Sequence, residues 1–187
     1  MRQLGSSVFR CGVSQGCAIS IAYAVRHPER VSHLILYGGF ALGAGKRSPE
    51  EAASRQALAT LMRLEWGADN PAIRQLFAAK LMPDATKEQA DSFSRLQQRT
   101  TSAECAARYY ETTAQFDVVG LLPQVKAPTL VMHARGDAQV SIEAGRQLAA
   151  GIPGARFVAL QGNNHILLEQ DLATQRFFEE LGLFLAQ

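Results

Sequence analysis

The pentapeptide Gly12-Val13-Ser14-Gln15-Gly16 is the part of this sequence best able to do chemistry. A serine hydroxyl is a weak nucleophile until a sharp turn presents it to a base, and glycines on either side remove side chains that would clash in such a turn. The base would be a histidine oriented by a carboxylate. Four histidines compete for that role. His27 lies beside Pro28 and Glu29 at a helix end, where a solvated cap is the better reading, and His33 opens an apolar run as a partly buried residue. His133 ends a second apolar run close to Asp137, but within the sheet layer, which weighs against a direct role. His165 follows the polar stretch Gly162-Asn163-Asn164, a loop from which its ring could swing over the strand ends. Asp117 and Asp171 flank helices and suit capping or a surface salt bridge. Asp137 sits in the turn after a strand and would emerge at the same edge as Ser14 and His165. The candidate set is therefore Ser14 as nucleophile, His165 as base and Asp137 as orienting acid, in the chain order Ser, Asp, His. The Gln15 N–H, at the start of the next helix, is the candidate oxyanion donor.

These residues need strands and helices to hold them. Val8 to Cys11 reads as a short strand, and Cys17 to Arg26 as a helix whose Gly16, Ala18, Ala22 and Ala24 permit close approach to a sheet, with Ile19, Ile21 and Val25 filling the contact. His27-Pro28 stops it. Val31 to Tyr37 is an almost continuous apolar strand, which implies burial on both faces and hence a parallel sheet. From about Ser48 to Phe116 strand signals vanish. Leu58, Leu61, Met62 and Trp66 share one helical face, and Ile73, Leu76, Phe77 and Leu81 another that starts at Asn70-Pro71. Thr86-x-x-Gln89 and Thr101-x-x-Glu104 are capping-box candidates for two further helices. The chain then returns to strand (Thr129–His133), helix (Ser141 cap to Ala150), strand (Arg156–Leu160) and a last helix. Asp171 is that helix's candidate cap, and Phe177, Phe178, Leu181 and Phe184 its apolar side. This alternation gives the α/β class.

Composition agrees with an ordinary globular domain and excludes several functions. Of 187 residues, 47% are apolar and 19% charged, with a net charge of +2. That excludes collagen-like and disordered chains. Between Lys46 and Glu111, ten Lys/Arg alternate with nine Asp/Glu, so no basic cluster is available for nucleic acid. The longest uncharged stretch, Cys11 to Val25, is too short to span a bilayer, and the first residues lack the apolar core of a secretory signal. Cys11, Cys17 and Cys105 form no CxxC pair and read as reduced, semi-buried thiols, which points to a cytoplasmic protein without metal or cofactor.

Cys11-Gly-Val-Ser-Gln-Gly-Cys-Ala18 resembles the nucleophile elbow of the α/β-hydrolase superfamily. Ala127-Pro-Thr-Leu-Val-Met-His-Ala-Arg-Gly-Asp137 resembles its acid strand, and Gly162-Asn-Asn-His165 its histidine loop. The stretch from Ala24 to Gly39 resembles the helix and strand between them, and an esterase-like subgroup is the nearest in kind. The resemblance implies a partial α/β-hydrolase fold: a parallel sheet of about four strands flanked by helices, with a helical cap insertion at about 46–116. Two departures stand out. Cys17 occupies a position where many relatives carry glycine or another small residue. More important, only about ten residues precede the elbow, where the family places several strands and the loop for a second oxyanion donor. Residues 1–187 are thus expected to be one N-terminally truncated domain, with an open edge along the first strand and an exposed apolar patch. The missing N-terminal half, or a fused regulatory domain, is its expected partner in the parent chain.

The resulting expectation is a serine hydrolase that cleaves an ester or thioester of a small-molecule acyl substrate through an acyl-enzyme. Leu58, Met62, Trp66 and Phe77 of the cap would contact an apolar acyl group. The rival from another class is a non-catalytic ligand-binding or regulatory module that keeps the three residues as pocket lining. An inactive fragment of a longer hydrolase is the third reading.

Overall fold

The computed structural model describes residues 7–186, so the N-terminal run read above for a leader lies, through residue 6, outside the described residues. Four strands form one parallel sheet in chain order: β1 (Val8–Val13), β2 (Val31–Tyr37), β3 (Thr129–Ala134) and β4 (Arg156–Leu160). Strand β1 runs two residues beyond the sequence expectation, so it ends directly at Ser14. The central strands show why the apolar runs are continuous. Leu34 and Leu36 of β2 face one core, while Ile35 and Tyr37 face the other, and all four are buried. Each such side chain contributes roughly 1.5–3 kcal/mol by leaving water.

The first core is covered by helices α1 (Gly16–Arg26) and α6 (Ile142–Gly151), through Cys17, Ile21, Leu148 and Ile152. Crossover helices on one face, with strands in sequential order, are the arrangement that right-handed βαβ units produce. The second core is covered by α7 (Leu172–Leu185), through Phe177 and Phe184. Two residues assigned to these interfaces turn outward. Ile19 is 60% exposed and Phe178 is 62% exposed, because each lies off the buried stripe of its helix. Asp171 stands at the N-cap of α7 as expected, but its carboxylate makes no capping bond and accepts from Asn164 Nδ2 (2.8 Å) instead.

Among the described residues β1 pairs only with β2, and Val8 and Phe9 on it are more than half exposed. The open edge expected from the sequence is therefore present among the described residues, with these two apolar side chains exposed along it. Of the three thiols, Cys17 is fully buried, whereas Cys11 and Cys105 are exposed rather than semi-buried. Burial pushes the Cys17 thiol pKa up, and its S–H donates to Gly12 O (3.1 Å). None of the described helices is long and apolar enough to cross a membrane.

Between β2 and β3 the chain leaves the sheet as four helices: α2 (Pro49–Glu65), α3 (Ala72–Leu81), α4 (Lys87–Thr100) and α5 (Ala103–Ala114). Leu42 and Asp117 form an antiparallel bridge at the base of this excursion. Ser48 caps α2, and the Thr86/Gln89 capping box opens α4 as expected. At α5 the cap is Ser102, which accepts from the Cys105 N–H, rather than Thr101. The cap has its own core, an edge-to-face series of Trp66, Phe77 and Tyr110 with Met62. Arg74 is buried beneath it and donates to the carbonyls of Trp66, the C-cap of α2, and of Ala68 in the turn beyond.

Candidate active site

Ser14 has φ of +55°, the only non-glycine residue in the left-handed region among those described. The turn is held at both ends: Ser14 N–H donates to Tyr37 O (2.9 Å) and Cys17 N–H donates to Ser14 O (3.1 Å). A non-glycine residue is kept in such a conformation only where its surroundings over-determine it. Of the flanking glycines, only Gly12 is sterically required. A Cβ there would stand 2.7 Å from Gly16 O and 2.8 Å from the Cys17 Cα. Gly16 has open space around it, so the expectation that both glycines relieve a clash is corrected to one. The Gln15 N–H, at the N-terminus of α1, has no acceptor among the described residues.

Asp137 and His165 are brought together. His165 Nδ1 lies 2.6 Å from Asp137 Oδ2, with both side chains almost wholly buried. The other carboxylate oxygen, Oδ1, accepts from the backbone N–H groups of Gln139 (2.8 Å) and Val140 (2.9 Å). Burial by itself would raise the Asp137 pKa. The hydrogen bonds from His133 and His165, the charge of His165 and the Val140 N–H outweigh it and hold the carboxyl down at about 2. Asp137 is therefore an anion across the whole neutral range.

His133, set aside in the sequence reading, touches this carboxylate. Its Nε2 is 2.9 Å from Val140 O and 3.3 Å from Asp137 Oδ2. Both neighbours are acceptors, so the ring carries its proton on Nε2. Its β3 position was legible, but its reach around the turn to Asp137 was not. His133 is fully buried and does not line the cavity that Ser14 and His165 share, so it makes no contact there.

The His165 loop is tied to the cap by hydrogen bonds. Its N–H donates to Leu81 O (2.8 Å), the last carbonyl of α3, and Ile166 N–H donates to the same oxygen. Asn164 O accepts from the Tyr37 hydroxyl, Asn164 Oδ1 accepts from Asp84 N–H, and Asn163 donates to the Asp84 carboxylate. The cap thus fixes the candidate base, which is 2% exposed. Gly38, at φ of +60°, packs against the ring from beneath. A Cβ on it would lie 3.0 Å from His165 Cε1.

Ser14 and His165 line one cavity of about 660 Å³ between sheet edge and cap. His165 Nε2 is buried without a partner, and Ser14 makes no side-chain hydrogen bond, so their mutual bond is not formed in this structure. Met62, Trp66 and Phe77 line the same cavity, as expected. Leu58 does not; it packs at the rim of the cap's own core. Phe40, Arg55, Tyr109, Tyr110 and Gln139 also line it and were not singled out in the sequence. Nothing in their spacing distinguishes them from residues of amphipathic helices or loops. No group of three potential metal ligands occurs among the described residues. A backbone donor, an imidazole nitrogen without a partner and the hydroxyl of half-buried Ser14 around one cavity are the groups that acyl transfer requires.

Comparison with known proteins follows the same lines. Residues 8–172 match the profile of a family described as the alpha/beta hydrolase fold. A 2-hydroxy-6-oxononadienedioate/2-hydroxy-6-oxononatrienedioate hydrolase of Pseudomonas putida is 30% identical over 164 residues, covering 82% of this chain and 54% of that protein. A pimeloyl-acyl-carrier-protein methyl ester esterase of Aromatoleum aromaticum is 27% identical over 167 residues, covering 83% of this chain and 65% of that one. Among solved structures, an esterase from Exiguobacterium antarcticum superposes with a TM-score of 0.81 at 20% identity, over 97% of this chain and 68% of the other, which is a likeness of fold. The chain spans about half the length of the Pseudomonas relative.

Proposed function

Since this chain belongs to the alpha/beta hydrolase family, we propose that it is a serine hydrolase acting on a carboxylic ester or thioester. The observation that carries the reading is the buried 2.6 Å contact of His165 with Asp137, on the cavity into which the strained Ser14 turn opens. Relatives named as a hydrolase and a methyl ester esterase support it.

In this reading Ser14 Oγ attacks the carbonyl carbon while His165 Nε2 accepts the hydroxyl proton. Asp137 keeps the other imidazole proton on Nδ1 and stabilises the imidazolium that forms. The oxyanion receives the Gln15 N–H, at the positive end of α1. Collapse breaks the bond to the leaving alcohol or thiol, which takes the proton from Nε2, and leaves an acyl group on Ser14. Water, deprotonated by the same nitrogen, then releases the acid and restores Ser14. The aromatic cap lining suits the apolar part of the acyl group.

A fluorophosphonate tests the reading. The expected result is covalent labelling at Ser14, shown by peptide mass spectrometry and lost in His165→Ala. A folded protein that takes no label would instead be a non-catalytic binding module.

Gly38 gives a second test. Gly38→Ala places a Cβ against the His165 ring in a backbone conformation that costs an L-residue about 1–2 kcal/mol. The melting temperature should fall by roughly 2–8 °C. Ester hydrolysis should fall on the order of 10²-fold, as the base leaves its line to Ser14. Unchanged kcat would show that the ring position under Gly38 does not matter.

A further inference from the structure

We infer that Arg55 makes this cavity selective for substrates bearing a carboxylate remote from the scissile bond. The inference rests on the hydrolase reading and adds the charge of the substrate. Arg55 lies on α2 and lines the cavity with Tyr110, its guanidinium carbon 4.0 Å from the centre of that ring. The other cations on this side of the cap are committed. Arg47 donates to Leu42 O (2.9 Å) and pairs with Glu51 (3.2 Å), Arg63 holds Glu104 and Glu111, and Arg74 holds backbone carbonyls. Arg55 has neither hydrogen bond nor ion pair among the described residues. The carboxylate one turn back on its own helix, Glu51, is the one that Arg47 takes.

Burial lowers the Arg55 pKa; the Tyr110 hydroxyl raises it, Arg47 lowers it and Glu51 raises it. The guanidinium nonetheless stays charged at neutral pH. It is part-buried and stacked on Tyr110, which leaves its N–H donors free to meet an anion in the cavity. A carboxylate matches the guanidinium fork with two parallel hydrogen bonds, which neither a hydroxyl nor an amide can do. Gln97, on the same cavity wall, has a buried Oε1 without a partner, an acceptor that a substrate N–H or O–H would meet and the carboxylate would not.

Two ester pairs locate the charge. Mono-p-nitrophenyl glutarate against p-nitrophenyl valerate puts the carboxylate on the acyl side, and 4-carboxyphenyl valerate against phenyl valerate puts it on the alcohol side. In one pair the charged ester should have a kcat/KM about 10–100-fold the higher, the discrimination expected of a charge-assisted contact. Arg55→Gln should bring that ratio to about 1, Arg55→Lys should keep part of it, and added salt should shrink it. A ratio of 1 or less in both pairs, or one that survives Arg55→Gln, overturns the inference while leaving the hydrolase reading intact. Binding is read separately from chemistry: 5-oxohexanoate should raise the melting temperature of the wild type more than 2-hexanone does, and Arg55→Gln should remove the difference. If Ser14 takes no fluorophosphonate but this difference persists, the hydrolase reading fails and the carboxylate site stands. Equal shifts from the two ketones overturn the site.

Discussion

Replacing Ser14 with glycine should stabilise the protein by about 0.5–1 kcal/mol while lowering kcat by roughly 10⁴–10⁶-fold. The two effects have one cause. At φ of +55° a serine Cβ crowds the following carbonyl, which costs about 1–2 kcal/mol, and glycine removes that crowding. Part of the gain is offset by the larger entropy of glycine in the unfolded chain, roughly 0.5–1 kcal/mol. The hydrogen bonds that hold the turn, Ser14 N–H to Tyr37 O and Cys17 N–H to Ser14 O, are backbone bonds and survive the change. The strain therefore exists to aim the hydroxyl. Urea unfolding and ester turnover on the same sample measure both quantities. A variant that is less stable than wild type would mean that the hydroxyl itself holds the turn.

The parts of the site that follow a strand could be read from the chain. Ser14, Asp137 and His165 each come just after an apolar run, and a parallel sheet brings such positions to one edge whatever the side-chain packing. What could not be read depends on tertiary approach. His133 reaches Asp137 because both lie at the end of β3 and the intervening turn folds back, as Val140 O bonding to the ring shows. The loop carrying His165 looked free because its partner, Leu81 O, lies 84 residues away and is simply the unsatisfied end of α3. Arg55 was one of ten cations in the cap. Its place on the cavity wall over Tyr110, beside cations paired with Glu51, Glu104 and Glu111, sets it apart. Boundaries slipped for a smaller reason. Thr101 and Ser102 are both good caps, and α4 takes the first as its C-cap.

The cap's role is consequently more than covering the cavity. The carbonyl of Leu81 and the carboxylate of Asp84 hold the loop that ends in His165, while α2 and α5 bring Arg55 and Tyr110 to the wall. In the proposed reading, selection of a substrate and alignment of the base depend on one body of helices. A change that loosens α3 should then reach the base as well as the pocket.

Asp137→Asn should lower kcat by about 10⁴-fold with little change in the backbone. The reasoning is a hydrogen-bond count. The Oδ1 position receives two backbone N–H groups, so an amide must place its oxygen there and its NH₂ at the Oδ2 position. That NH₂ then faces His165 Nδ1, which must become an acceptor, and the proton moves to Nε2. The nitrogen nearest the substrate can no longer take the Ser14 proton. His133 cannot relieve the conflict by changing tautomer, because its Nε2–H is already held by Val140 O. Nitrogen chemical shifts of the His165 ring would report the exchange of tautomers directly. Stability should change with a defined sign. The Asp137 pKa falls from about 3.9 unfolded to about 2 folded. Its stabilisation is therefore complete above about pH 4 and is lost as pH falls through 2. The melting-temperature gap between wild type and Asp137→Asn should narrow over that window. A gap that is flat with pH, together with kcat within tenfold of wild type, would remove Asp137 from the role assigned to it.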